Sequence, residues 1–357
     1  MKMVVLGLSL SSSWGNGHAT TYRALLRELG RRHDILFLER DQPWYEAHRD
    51  LAAPDFCALA FYGELAGLQP HRAAIAGADV VILGSYVPQG AAAATMIHPW
   101  IRGAFCFYDI DTPVTLAKLE SGGIDYLETA TIRLFDIYFS FTGGPTLQKL
   151  QRCYGARCAR PLYCSVDPSH YHPLAGQRRW DLGYLGTYSP DRQPVLERLL
   201  LEPARRLPHK KFVVAGAMYP QEIAWPANVE WIEHLPPAAH AAFYNAQAWT
   251  LNVTRADMVA TGYSPSVRLF EATACGTPVI SDTWPGLQTI FKPGREIMLA
   301  GGADDVLSLL LMPEQERSRI ASAGRHRCLA AHTAAHRAAE LEQAVATTLT
   351  ALAGVRP

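Results

Sequence analysis

The sequence predicts an α/β protein built from two successive parallel-sheet domains, and three observations carry that expectation. The chain has 357 residues, more than one hydrophobic core usually supports. Short uninterrupted apolar runs alternate with longer amphipathic stretches, as strands buried on both faces of a parallel sheet alternate with their covering helices. That alternation breaks once, over residues 161–173 with their three prolines, and then restarts.

In the first half, strands are expected over residues 3–10, 34–38, 80–83, 103–108 and 137–141. Residues 20–29 read as a helix, with Tyr22, Leu25, Leu26 and Leu29 at helical spacing. In the second half, strands are expected over 181–186, 212–215, 229–232, 250–253 and 278–281, and helices over 195–207, 238–245 and 266–274. Residues 313–352, rich in Ala, Leu, Glu and Arg, read as one or two surface helices, and His209, His332 and His336 as solvated groups. The expected domains are 1–165 and 166–335, each Rossmann-like, with 336–357 a C-terminal helix free to return to the first domain. Trp44, Tyr45 and Tyr62 are expected to fill a core rather than line a site.

The composition, 49% hydrophobic and 18% charged, is that of a folded globular chain. Lys+Arg and Asp+Glu both number 33, so the basic surplus of a nucleic-acid binder is missing and no nucleic-acid partner is expected. The seven cysteines are odd in number and lack zinc-site spacing, although Cys153, Cys158 and Cys164 lie close enough in sequence to leave a metal reading open. Reduced thiols of a cytoplasmic protein are the simpler account. The apolar start lacks the basic stretch and cleavage site of a secretory leader. No apolar run approaches the ~20 residues of a membrane span, so a protein without an integral membrane segment is expected.

The most informative segment runs from Tyr263 to Pro278. Ser264 suits a helix cap, Pro265 the first helical position, and Gly276 a left-handed helix end, with Pro278 blocking continuation. The free N–H groups of such a helix start, beside Ser264 and Ser266, favour an anion. Their dipole supplies only ~0.3–1 kcal/mol near a surface, too little to hold a diphosphate, so the nearby cation Arg268 is required. Glu271 follows one turn later on nearly the same face, where a carboxylate could accept from a ribose diol at ~1.5–3 kcal/mol per charged hydrogen bond. The alternative is an ordinary surface helix whose Arg268 and Glu271 form a weak exposed pair.

This segment resembles the donor-binding motif of the GT-B glycosyltransferases, in particular the CgeB-like (spore-maturation-protein) branch near the family-4 retaining enzymes. Ser264, Pro265, Ser266, Arg268, Phe270, Glu271, Ala274, Cys275, Gly276 and Pro278 carry the match, and the similarity continues into Gly286, Leu287, Phe291, Gly294 and Glu296. The resemblance implies the GT-B architecture, two Rossmann-like domains facing a central cleft. It also implies a nucleoside-diphosphate sugar, taken as a UDP-sugar, an unspecified acceptor, no metal or other cofactor, and retaining transfer. Tyr263, Ser264, Ser266, Val267, Arg268 and Glu271 are then donor-binding. Family-4 enzymes place a glutamate near the sugar eight positions before the ribose glutamate; this chain has Tyr263 there. A sugar-nucleotide epimerase and a non-catalytic nucleotide-sugar-binding protein are the rival readings.

Further candidates follow from strand ends, where ligands gather in open α/β sheets. Gly15, Gly17 and His18 form a loop after the first strand that lacks the third glycine of the dinucleotide fingerprint; it faces the ligand or is a structural turn. Asp109 and Asp111 follow a buried strand, as proton-transfer groups with His18, as a helix cap or solvated turn, or as metal ligands. Thr187, Tyr188 and Arg192 follow the first strand of the second domain, with Arg192 either on the donor diphosphate or beside a capped helix start. Met218, His234 and Leu235 end strands where the family holds the base, and Arg255 is either a further phosphate ligand or a surface residue.

Overall fold

The structure, a computed structural model, describes residues 1–14 and 17–355. It resolves into two units, Met1–Cys164 together with the segment from Ala334 on, and Ser165–Thr333. In the first unit the strands are β1 (Lys2–Gly7), β2 (Asp34–Arg40), β3 (Ala58–Tyr62), β4 (Val80–Gly84), β5 (Ala104–Asp109), β6 (Ile137–Ser140) and β7 (Ala159–Pro161). They pair in parallel in the order β3-β2-β1-β4-β5-β6-β7. Successive side chains point to opposite faces, so Val4, Leu6, Val81, Leu83, Phe105 and Phe107 bury into one layer. Met3, Val5, Ile35, Phe37, Val80, Ile82 and Cys106 bury into the other. Two covered faces explain why these strands read as continuous apolar runs.

The second unit has β8 (Trp180–Leu185), β9 (Phe212–Ala215), β10 (Val229–Ile232), β11 (Gln247–Asn252), β12 (Val279–Ser281) and β13 (Met298–Leu299). These too are all parallel, in the order β10-β9-β8-β11-β12-β13. The α/β class with two parallel sheets is as the sequence indicates.

Several elements differ from expectation, each for a local reason. The first strand stops at Gly7 rather than at 10, because Glu39 captures the backbone beyond it: its carboxylate accepts from the N–H of Leu10 (2.7 Å) and Ser11 (2.9 Å). Strands β3 and β7 were not legible. β3 is only partly buried, and β7 is a three-residue edge strand ending on Pro161, a position that tolerates proline. The helix expected over 195–207 contains a wide π turn, Glu197–Leu201, between regular segments; Pro203 just beyond it has no N–H to continue the α ladder.

The C-terminal region is two helices, Glu314–Ala331 and Ala334–Val355, and the second is not a surface helix. Its Ala338, Leu341 and Val345 are fully buried in the first unit's core, beside Leu25 and Leu29 of the helix His18–Gly30. His332 is likewise buried, 3.3 Å from the carbonyl of Ile290, not solvated. Tyr45 and Tyr62 are core residues, whereas Trp44 is 51% exposed. Among the described residues no helix is long and apolar enough to cross a membrane.

Candidate functional site

All strands of the second sheet run parallel, so the loops after β8, β9, β10 and β11 leave from one edge. Chain order reverses between β8 and β11, the place where open α/β sheets form a ligand crevice. The helix Val267–Ala274 starts at this point. Its cap position is Ser266, not Ser264, and the Ser266 hydroxyl caps no helical N–H; it donates instead to Asn252 Oδ1 at 2.8 Å. Tyr263 fixes this start. It holds a left-handed φ of 49° with its N–H on the Pro285 carbonyl at 2.6 Å. Its ring packs against Gly286, where an added Cβ would meet ring carbons at 2.5 Å. The helix ends as expected, with Gly276 at φ 77°.

Arg268 and Glu271 are not an exposed surface pair. They are 8% and 6% exposed and make no ion pair with each other or with other described residues. Arg268 donates from Nε to the Leu185 carbonyl at 2.6 Å and from Nη1 to Asn252 Oδ1 at 2.9 Å. Its guanidinium lies over the Tyr184 ring, 4.8 Å from the centroid. Asn252 passes the network on to Thr254 and Ser281 at 3.2 and 3.0 Å. Asp282 is already committed, accepting from the Thr254 N–H and hydroxyl at 2.9 and 2.8 Å. Burial raises its carboxyl above the usual range.

Arg192 joins Arg268 from the β8 loop. One guanidinium nitrogen donates to the Thr187 carbonyl, and its Nε is buried without a partner. Its guanidinium titrates below the ordinary arginine range, chiefly through burial, with the positive charges of Arg268 and Arg255 adding to the shift. Three guanidinium groups therefore share one neighbourhood, none in an ion pair among the described residues, with Asp191 and Asp282 acting on Arg192 and Arg268 as nearby charges. The β8 and β9 loops are tied together: the Tyr188 N–H donates to Ala217 O at 2.9 Å and the Tyr219 hydroxyl to Gly186 O at 3.1 Å. Thr187, Tyr188, Arg192 and Met218 thus gather at one place, with Met218 76% exposed and left-handed at φ 68°. His234 and Leu235 follow the edge strand β10; His234 is exposed, and the Leu235 carbonyl holds His240. Ser264 is buried and Val267 exposed. Glu271 sits one turn beyond Arg268 and accepts from the Tyr244 hydroxyl at 2.9 Å. Tyr184 and Tyr244, whose apolar surroundings make them read as core, were missed from sequence.

In the first unit the order reverses between β1 and β4. Gly15 lies outside the described residues. Gly17 is exposed and precedes the helix His18–Gly30. The preceding loop hangs on Glu39, which besides the two N–H groups accepts from the hydroxyls of Ser9 and Ser11. Glu39→Ala leaves buried donors unpaired at ~1–3 kcal/mol each; a loss of at least ~3 kcal/mol in urea unfolding is expected.

His18 packs edge-on against Tyr86, centroids 5.0 Å apart, and the Tyr86 hydroxyl lies 3.4 Å from Asp111 Oδ2. Tyr86, left-handed at φ 63°, was not singled out; its only signal is its place just past an apolar strand. Asp109 does not join this group. It is fully buried, with the Tyr138 hydroxyl on Oδ2 at 2.5 Å and Thr115 on Oδ1 at 2.8 Å. It anchors the β5 turn and presents no free oxygen to a ligand. Among the described residues no three His, Cys, Asp or Glu side chains converge as a metal site would need.

Burial drives opposite shifts here. His18 falls from 6.5 to about 4, so its contribution to stability is complete above pH 6.5 and lost as pH falls towards 4. Asp109 rises from 3.8 to about 6, so its contribution is complete below 3.8 and lost as pH rises through 6. His18→Gln is therefore expected to flatten the decline in unfolding free energy between pH 6.5 and 4, and Asp109→Asn to steepen it, as read by urea titration across pH.

Residues 192–343 match the family model described as glycosyl transferase-like. Sucrose-phosphate synthase from Thermosynechococcus elongatus has a similar fold, with a TM-score of 0.70 and 14% identity over 98% of this chain and 99% of that one. HepE from Anabaena, in complex with UDP and glucose, gives 0.69 and 13% over 97% of this chain and 100% of its own. The catalytic domain of starch synthase IV from Arabidopsis thaliana, bound to ADP and acarbose, gives 0.66 and 11% over 98% and 99%. No curated protein matches the sequence. The fold, two parallel-sheet α/β domains, is that of GT-B glycosyltransferase structures, and the matched segment is glycosyl transferase-like. More particularly, it is the second unit, with the arginine cluster, that carries most of the glycosyl transferase-like segment.

Proposed function

We propose that the chain transfers a sugar from a nucleoside-diphosphate sugar, a UDP-sugar in the first instance, to an acceptor on the first unit. The observation that carries this reading is the meeting of Arg192, Arg255 and Arg268 beside β8 and β11, none of them in an ion pair with a carboxylate among the described residues. Such a site suits a multiply charged, acceptor-only group. Glu271, one turn on, takes the ribose diol, and the ends of β9 and β10, with Met218, His234 and Leu235, take the base.

As the bond to the sugar breaks, negative charge grows on the departing diphosphate. Fixed guanidinium donors stabilise that charge more than the ground state, and no metal or other cofactor enters the reading. The complexes of the similar folds with UDP and glucose and with ADP and acarbose support this choice of ligand. On the first unit, Asp111, His18 and Tyr86 are the groups for the acceptor hydroxyl. Retaining stereochemistry and the CgeB-like assignment rest on the motif from Ser264 to Pro278, and the cytoplasm is the proposed compartment. Incubation with UDP-glucose and other nucleotide sugars, with released nucleotide as the readout, tests the reading. Absence of both binding and turnover with every donor would sink it.

A further inference from the structure

The following inference rests on the diphosphate reading and deepens it. We propose that the phenol of Tyr184 is a further ligand of the donor diphosphate, sharing one phosphate oxygen with Arg268.

Tyr184 is 1% exposed, and its hydroxyl is buried without a hydrogen-bond partner. Buried hydroxyls are nearly always paired, so an orphan at the end of a central strand needs a reason. The reason lies at Gly186. A first side-chain carbon there would sit 2.5 Å from the Tyr184 oxygen and 3.0 Å from Arg268 Nη2. No side-chain carbon fits there, since the Tyr184 ring carbon bearing the oxygen would lie only 2.8 Å away; the phenol oxygen and Nη2 thus converge on the same stretch of bare backbone. Arg268 has committed Nε and Nη1 to Leu185 and Asn252, which leaves Nη2 for a ligand. The buried Nε of Arg192, also without a partner, belongs to the same loop.

The unspent hydrogen-bonding capacity around Gly186 is thus two guanidinium donors and a phenol able to donate. The complement is an acceptor-only anion, and a phosphate oxygen supplies two or three lone-pair directions at once. Tyr184 has a second task, supporting Arg268 through its ring, and the test must separate the two.

Tyr184→Phe does so, because it keeps the ring and its cation–π contact and removes only the oxygen. Isothermal titration of the full chain with UDP, inorganic pyrophosphate and uridine is the experiment. The dissociation constants for UDP and pyrophosphate are expected to rise about tenfold or more, while that for uridine stays within about twofold. The thermal midpoint without ligand should not fall, since an unpaired buried hydroxyl has been removed. UDP binding by the variant within about twofold of the unmodified chain, or an equal loss for uridine, would overturn the role of Tyr184. An unmodified chain that binds neither UDP nor pyrophosphate would instead overturn the diphosphate reading itself.

Discussion

Arg268→Met is expected to raise the dissociation constant for UDP by about 10²–10⁴, from two charge-assisted hydrogen bonds at ~1.5–3 kcal/mol each. Pyrophosphate binding should disappear with it, whereas uridine should bind within about threefold of the unmodified chain. The side chain is placed for this task by fixed partners: Leu185 and Asn252 hold two of its nitrogens, and Tyr184 lies beneath its plane. Arg268→Lys should not restore affinity, because a single ammonium cannot serve the Leu185 carbonyl, Asn252 and a phosphate together. The substitution also strips the part-buried Leu185 carbonyl of a donor, so a drop of ~1–3 kcal/mol in stability is expected. Retained uridine binding distinguishes a lost ligand from a lost fold. Calorimetric titration showing unchanged UDP affinity would remove Arg268 from the site.

Glu271→Ala has the complementary signature. Loss of the acceptor for the ribose hydroxyls should weaken UDP by ~1.5–3 kcal/mol, about 10–150-fold, and should weaken uridine by a similar factor. Pyrophosphate binding should survive. The carboxylate is 6% exposed and receives the Tyr244 hydroxyl at 2.9 Å on one oxygen. Burial, followed by the charge and hydrogen bond of Glu271, pushes the Tyr171 phenol far above its ordinary range. A buried carboxylate flanked by two phenols is held in one orientation, as a ribose ligand must be. Glu271→Gln keeps an acceptor for Tyr244 and isolates the loss of charge. The crossed pattern, pyrophosphate lost in one variant and uridine in the other, is the result a diphosphate-plus-ribose site demands. A parallel loss in both would point to general damage.

Much of the proposed donor site was legible because its parts are local. Arg268 and Glu271 share a helix face through their three-residue spacing, and Gly276 with Pro278 marks the helix end. The cap was misplaced by two residues. Ser264 and Ser266 are equally good caps by residue type, and only the contact of Tyr263 with Pro285 and Gly286 places the start at Val267. In the first unit the pair Asp109 and Asp111 looked alike in sequence. Tyr138, 29 residues on, and Thr115, in the helix that follows, make the first a buried anchor, while Tyr86 leaves the second beside His18.

The sequence by itself determined the α/β class, the strands of both sheets that are buried on two faces, and the helix bearing Arg268 and Glu271. Each of these is written in apolar periodicity and turn chemistry within a few residues. Only the tertiary structure decided which polar residues are spent on the fold and which remain for a ligand. Glu39 holds a loop from 28 and 29 residues away, Asn252 joins the main helix to its strand, and the Tyr184 hydroxyl is left unpaired beneath Gly186. Such pairings depend on which strand ends the sheet order brings together, and that order is set by packing of the whole unit rather than by neighbours in sequence.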